Sequence, residues 1–233
     1  MSTRRGWHQP GALTMRHESH FLLPARLVLH LCLCLLGFWI SLSGTAAGAE
    51  SVKLFGTVEI RRPLDSPPDW LAVIERNAAN PIFKPENKFN ASTTWGELKA
   101  KAEKLSPLEQ VKLVHSFWQR WPYRTDPEAY KKQDYWAAPY EFLKHSGDCE
   151  DFSIVKYFTL RELGFPIDSM RIVVGIETIR NIAHAVLAVY LDGEAYVLDN
   201  LSSNVLPHTR MRSYEPRYSV NEHNRWAHMK PKK

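Results

Sequence analysis

Apolar positions along this chain change their spacing twice. Leu27 to Leu42 is an unbroken apolar run of 16 residues. From Asp69 to Gly164 the apolar positions recur every three or four residues, as on helices that bury one side. From Met170 to Asn200 they close up into β-branched and apolar runs. Within the helical part, Asp69–Ala79 predicts a short helix stopped by Asn80-Pro81. Thr94-Trp-Gly-Glu97 is a capping box that opens a helix to about Lys104. Ser106-Pro107-Leu108-Glu109 is a second start signal, with proline at the first helical position and glutamate at the third. Behind it, Leu108, Val111, Val114, Trp118 and Trp121 form a core stripe. A proline- and aromatic-rich connection, Pro122 to Pro139, leads to Gly147-Asp-Cys-Glu-Asp151. That run enters a helix carrying Phe152, Val155, Phe158 and Leu163, and Gly164 ends it. Strands are expected at Met170–Glu177, Ala183–Leu191 and Glu194–Asn200, the last two joined by the hairpin turn Asp192-Gly193. Val52 to Asp69 reads as a strand or extended arm, and the tail from His208 to Lys233 as polar, basic and irregular. Helices followed by an antiparallel sheet define an α+β class, one domain over residues 50–233.

The run at Leu27–Leu42 is short for a bilayer core of ~30 Å at 1.5 Å per residue. Arg4, Arg5, Arg16 and Arg26 precede it and small residues follow, with Ala47-Gly48-Ala49 matching a signal-peptidase site. Residues 1–49 are therefore expected to be a signal peptide cleaved before Glu50, with an uncleaved anchor as the alternative and Met15 open as the start. Either way the remainder is exported, which places it in the periplasm.

Removing that segment changes the charge picture. The chain holds 30 basic and 25 acidic side chains. Residues 50–233 hold 26 and 24, so a net of +2 remains and no nucleic-acid partner is expected. The cysteine count changes as well. Cys32 and Cys34 leave with the apolar run, and no lipobox precedes either. Cys149 is then the lone cysteine of an exported chain, either a nucleophile or an inert core residue.

Its setting favours chemistry. A sulfur in the first turn of a helix faces unpaired N–H groups and the positive end of the dipole, which favour thiolate. It needs a base, and the base needs an orienting group. A two-residue turn at Asp192-Gly193 sets Asp199 opposite Val186, with His184 its diagonal neighbour on the same face at ~7–8 Å. Asn200 would point the other way, and a one-residue slip would exchange the two. Taken alone, His184 reads first as a structural histidine; with Cys149 and Asp199 in compatible positions the reading turns to catalysis. Asp148, Glu150 and Asp151 oppose a thiolate, since nearby negative charge raises a thiol pKa. They either complement the helix dipole or hold a hard cation. All-oxygen donors point to calcium, with further oxygens needed to complete its shell. Trp121, Tyr123, Tyr135 and Trp136 are candidates to line a groove in front of Cys149.

The runs GDCEDFSIVKYFTLRELG, AHAVLAVY and AYVLDN, with Asp134-Tyr-Trp-Ala-Ala-Pro139 upstream, resemble the bacterial transglutaminase-like cysteine proteinases from about Trp70 to Leu206. The resemblance implies a papain/transglutaminase-like fold with the nucleophile-bearing helix packed on an antiparallel sheet. It implies Cys149 as nucleophile, His184 as base and Asp199 as orienting acid. Asp148 and Glu150 fall on calcium-binding acids, and Asp151 matches the motif. Members of that family cut the amino-terminal region of large surface adhesins beside paired alanines, which disperses biofilm. An inner-membrane receptor that binds cyclic-di-GMP sequesters them. Two other readings use the same residues: transglutaminase or amidase acyl transfer by the same triad, and a non-catalytic calcium- and receptor-binding module.

Overall fold

The computed structural model describes residues 52–231. The apolar run, the expected cleavage site and Met15 lie outside the described residues. Among those residues no helix is long and apolar enough to cross a membrane.

The helices begin where the caps direct. α1 is Pro68–Ala79, with proline in its first turn. α2 is Trp95–Ala102, and its cap is reciprocal: Thr94 Oγ1 accepts from Glu97 N–H at 3.2 Å, and Thr94 N–H donates to Glu97 Oε2 at 2.8 Å. α3 is Pro107–Trp118, burying Val111, Val114, Phe117 and Trp118. Trp121 falls past its end and stacks on Trp118, 4.7 Å between ring centroids. The connection from Pro122 contains a single helical turn, α4 (Asp126–Ala129), and α5 follows at Pro139–His145. The sequence pattern did not announce α5, because only Pro139 and Phe142 of its seven residues are buried.

The central helix is α6, Cys149–Glu162, buried without interruption from Asp151 to Leu160. A helix buried on all sides needs cover all round. Strands supply it on one side and α3 and α5 on the other. Trp118 Nε1 donates to Thr159 Oγ1 at 2.9 Å, so α3 and α6 are tied by a buried hydrogen bond as well as by packing.

The sheet is antiparallel and has the order β1-β9-β8-β4-β5-β6-β7. Its strands are β1 Val58–Pro63, β4 Met170–Glu177, β5 Ile182–Leu191, β6 Glu194–Leu198, β7 Leu206–Pro207, β8 Tyr214–Val220 and β9 Asn224–Met229. A small separate pair, β2 (Lys88–Asn90) and β3 (Thr93–Thr94), precedes α2. The expected two-residue hairpin is present: Leu191 pairs with Glu194, and Asp192 and Gly193 both take positive φ. Both sheet faces are buried. Ile172, Leu187, Val189 and Leu198 pack against the helices. Val173, Val186, Ala188 and Val197 lie under Leu54, Tyr214 and the amino-terminal turn.

One expectation is overturned. The segment from His208 to Lys233 is not an irregular tail, because β8 and β9 pair with each other and join β4 to β1. Its buried positions are His208, Tyr214, Pro216, Ser219, Val220, Asn221, Asn224, Trp226 and His228, few of them aliphatic, so the alternation does not read as hydrophobic.

β8 bulges against β4, with Arg217 the extra residue opposite Val174 and Gly175. A Cβ on Gly175 would lie 2.3 Å from the Glu215 carbonyl oxygen and 2.9 Å from Pro216 Cα. Both neighbours are backbone, so they yield only if the bulge moves. Gly175→Ala is therefore expected to destabilise the fold by about 1–3 kcal/mol, read as a lowered Tm. An unchanged Tm would contradict this account of the bulge.

Candidate active site

Cys149 opens α6 and is half-buried. The turn before it is shaped by close contact. A Cβ on Gly147 would lie 1.9 Å from Asp151 Oδ2, so only glycine lets that carboxylate fold back under the turn. Asp151 then accepts from Ala137 N–H at 2.6 Å and from Asp148 N–H at 3.4 Å, one bond per oxygen. Asp151 thus clamps the helix start to the segment before α5.

The hairpin places the other two residues. Gly175 of β4 pairs with His184, and His184 Nε2 lies 2.8 Å from Asp199 Oδ1, as the diagonal register requires. Asp199 also accepts from Leu201 N–H at 2.9 Å. Burial would raise its pKa, but the bond to His184 and that ring's charge overcome it, and the carboxyl is held below its ordinary value. With Nε2 committed to Asp199, Nδ1 is the nitrogen left for the thiol. Asn200 is not the partner; its backbone oxygen accepts from Gln119 instead.

Tyr214, from the segment expected to be irregular, anchors the histidine. Its hydroxyl is shared between the carbonyl oxygens of Val173 at 2.8 Å and His184 at 3.1 Å. Its ring meets the imidazole edge-on, at 6.2 Å between centroids.

Cys149 and His184 line one groove of about 320 Å³, together with Tyr123, Trp136, Val174, Ala183, Ala185 and Tyr218. Of the four aromatics proposed for it, Tyr123 and Trp136 are there. Trp121 packs in the core, and Tyr135 donates its hydroxyl to Glu141 at 2.7 Å.

The acids beside the thiol are more numerous than the motif suggested. Asp126 and Asp134, from the connection, join Asp148 and Glu150 at the groove. The oxygens of Asp126, Asp148 and Asp151 fall within 4.8 Å of one another, as do those of Asp126, Asp134 and Glu150. Folding of the connection delivers them: Arg124 N–H donates to Gly147 O at 2.9 Å, and Tyr130 and Ser146 add side-chain bonds across the same junction. The signal for Asp126 was the Thr125-Asp-Pro-Glu128 start of α4.

This cluster is frustrated as it stands. Burial first, then the Glu150 charge, pushes Asp148 up to about 8. Burial and Asp148 push Asp126 up to about 6. Burial raises Glu150, and burial with the Glu150 charge raises Asp151 well above the ordinary range. Cys149 follows for the same reasons, burial first and then Glu150 and Asp148, while an Ala185 N–H bond pulls the other way. The thiol donates to Glu150 Oε2 at 3.1 Å. Asp126 Oδ1 and Asp148 Oδ1 are buried with no hydrogen-bond partner among the described residues. Buried carboxylate oxygens without partners, in a cluster this close, are donors suited to a hard cation, and a dication there would reverse the local pKa logic. Asp126, Asp134, Asp148 and Glu150 have oxygens to give it, and Asp151, whose two oxygens each accept one backbone N–H, keeps lone pairs for it as well.

A cysteine at a helix start, facing a histidine–aspartate pair on an antiparallel sheet, defines a papain-like thiol site. The bacterial transglutaminase-like cysteine proteinase family model matches residues 84–233. The chain belongs to that family and is a cysteine protease. Among solved structures it is similar to LapG of Legionella pneumophila, with 38% identity over 57% of this chain and 75% of that one, TM-score 0.52. EGTA-treated LapG gives the same identity and TM-score over 73% of its length. Calcium-bound LapG is 33% identical over 67% of this chain and 86% of its own, TM-score 0.54. No curated protein matches the sequence.

The acids predict how a metal should act on stability. Carboxyls whose pKa is raised on folding bind more protons folded than unfolded. Without metal, the contribution of these carboxyls to stability is fully present below the ordinary value of ~3.9 and is lost as pH rises through about 6 for Asp126 and about 8 for Asp148. Calcium needs the ionised forms, so the Tm gain on adding calcium is expected to grow from pH 5 to pH 8. A gain independent of pH, or none at any pH, would contradict the site.

Proposed function

We propose that the chain is a calcium-dependent periplasmic cysteine endopeptidase that cuts the amino-terminal region of a large surface adhesin beside paired alanines, releasing it and dispersing biofilm. The observation that carries the catalytic part is the 2.8 Å His184–Asp199 bond in the groove that holds Cys149. Family membership supports the endopeptidase, and the calcium-bound form of LapG supports the metal. Export rests on the apolar run at Leu27–Leu42 and on Ala47-Gly48-Ala49. By the family resemblance, an inner-membrane receptor for cyclic-di-GMP would sequester the protease.

The residues supply each step. His184 Nδ1 takes the Cys149 proton as the sulfur adds to the scissile carbonyl carbon. Asp199 holds the ring and stabilises the imidazolium. The Cys149 N–H belongs to the first turn of α6, where backbone donors lack an intrahelical acceptor, and would serve the developing oxyanion. Collapse of the tetrahedral adduct breaks the C–N bond, and His184 returns its proton to the departing amine. The thioester then takes water, whose proton passes to His184, and release of the acid restores the thiol. A calcium ion held by acids of this cluster, drawn from Asp126, Asp134, Asp148, Glu150 and Asp151, would offset their charge and favour the thiolate.

The test is the product mass from an adhesin fragment that contains an alanine pair. Two fragments whose masses sum to substrate plus water are expected, with none from Cys149→Ala. Asp199→Asn is expected to lower kcat by roughly 10²–10⁴ through the wrong imidazole tautomer. A single heavier, crosslinked species would instead establish acyl transfer to an amine. An intact substrate with folded, calcium-loaded protein would remove the adhesin from consideration.

A further inference from the structure

Beneath the site lies a buried lysine that the chemistry above does not use. Lys156 is fully buried in α6. It stands seven residues after Cys149, two helical turns or ~10 Å along the same face. Its Nζ donates to Gln119 Oε1 at 3.1 Å. Gln119, which closes α3, turns its amide to the loop after β6: Nε2 donates to Asn200 O at 3.0 Å and to Ser202 O at 2.9 Å. That loop begins at Asp199, whose carboxylate accepts from Leu201 N–H within it. Ser202 N–H returns to Asp199 O at 3.1 Å, which closes the turn.

We propose that Lys156, acting through Gln119, is a positioning residue for Asp199: one rigid helix carries the nucleophile at its start and, two turns later, the strut that sets the acid. The proposal rests on the protease reading of Cys149, His184 and Asp199. A buried ammonium is costly, and an apolar side chain would suit this helix better, so packing alone does not account for a lysine here. The connection does. Leu198 is the last residue of β6, so the ladder stops just short of Asp199. Backbone pairing thus leaves the carboxylate's loop to side-chain restraint. Gln119 supplies two donors to two carbonyls, beside His115 Nε2 at 2.9 Å from Ser202 O, and Lys156 orients Gln119, because an ammonium can only face the amide oxygen and so fixes which way the amide points.

The electrostatics agree. Burial pulls Lys156 down to about 7, while Asp199 acts in the opposite direction. The groups facing it are Asp199 from the loop, His115 from α3, and the Phe152 ring of its own helix, 5.5 Å from Nζ. A cation on this side of Asp199 also favours the ionised carboxylate that the imidazolium needs.

The test compares wild type, Lys156→Met, Gln119→Leu and the double variant in the full chain with calcium. Folding is followed by Tm and circular dichroism, kcat and KM by adhesin-fragment cleavage, and the pH profile by iodoacetamide labelling of Cys149. A misplaced orienting acid is expected to cost about 10–100-fold in kcat with KM within about twofold, because substrate contacts are untouched. The labelling profile is expected to move by about one pH unit toward the ordinary thiol value of ~8.5, since both the lost cation and a weaker imidazolium disfavour thiolate. The double variant should lose no more than the worse single one, because the two residues act in series. Folded Lys156→Met with wild-type kcat and labelling profile would overturn the proposal, as would additive losses. If Lys156→Met does not fold, Gln119→Leu alone decides by the same two readouts. If wild type labels fast yet cleaves no adhesin fragment, the substrate reading fails, while the labelling profiles still judge the strut.

Discussion

The constraint on which this structure turns is electrostatic. Carboxylates converge on the start of one helix, and the thiol that has to ionise sits among them. At separations within 4.8 Å, two carboxylates repel by roughly 3.5 kcal/mol even at an effective dielectric of ~20. The helix dipole returns at most about 2 kcal/mol in a favourable geometry. The dipole therefore loses, and helix placement by itself does not make Cys149 reactive. Protons or a cation must make up the difference, and only a cation leaves the carboxylates charged and the thiol free to ionise.

Much of the surrounding architecture serves to bring these charges together. Gly147 is bare so that Asp151 can fold under it, and Asp151 fixes both the helix start and the segment at Ala137. The connection after Trp121 is bound to Ser146 and Gly147, which carries Asp126 to Asp148. On the opposite wall the sheet is built for rigidity. His184 is fixed through its backbone by Tyr214, through its ring by Asp199, and through strand pairing by Gly175 at a bulge that admits no side chain.

The parts of this site that rest on local rules were legible in the sequence. Asp192-Gly193 determined the turn, the turn determined the register, and the register chose Asp199 over Asn200. The cap at Asp148 and the glycine after Leu163 framed α6 for the same reason, since capping depends on neighbours in sequence. What stayed hidden depends on distant contacts. β8 and β9 bury tyrosine, proline, asparagine and histidine where a strand pattern looks for valine and isoleucine, so Tyr214 went unnoticed as an anchor. Asp126 gains meaning only when the connection folds onto Gly147. Lys156 interrupts an apolar helix face, an anomaly visible in the sequence, but its partner Gln119 lies 37 positions away.

The claim that a cation converts a frustrated acidic cluster into a thiolate site is tested most directly by the chemistry of one sulfur. The measurement is the rate at which iodoacetamide labels Cys149, read from the mass of its peptide, across pH in calcium and in chelator. Fast labelling near neutrality is expected with calcium, collapsing in chelator and in His184→Ala. Labelling that is slow in every condition, with an ordinary thiol profile near ~8.5, would contradict it.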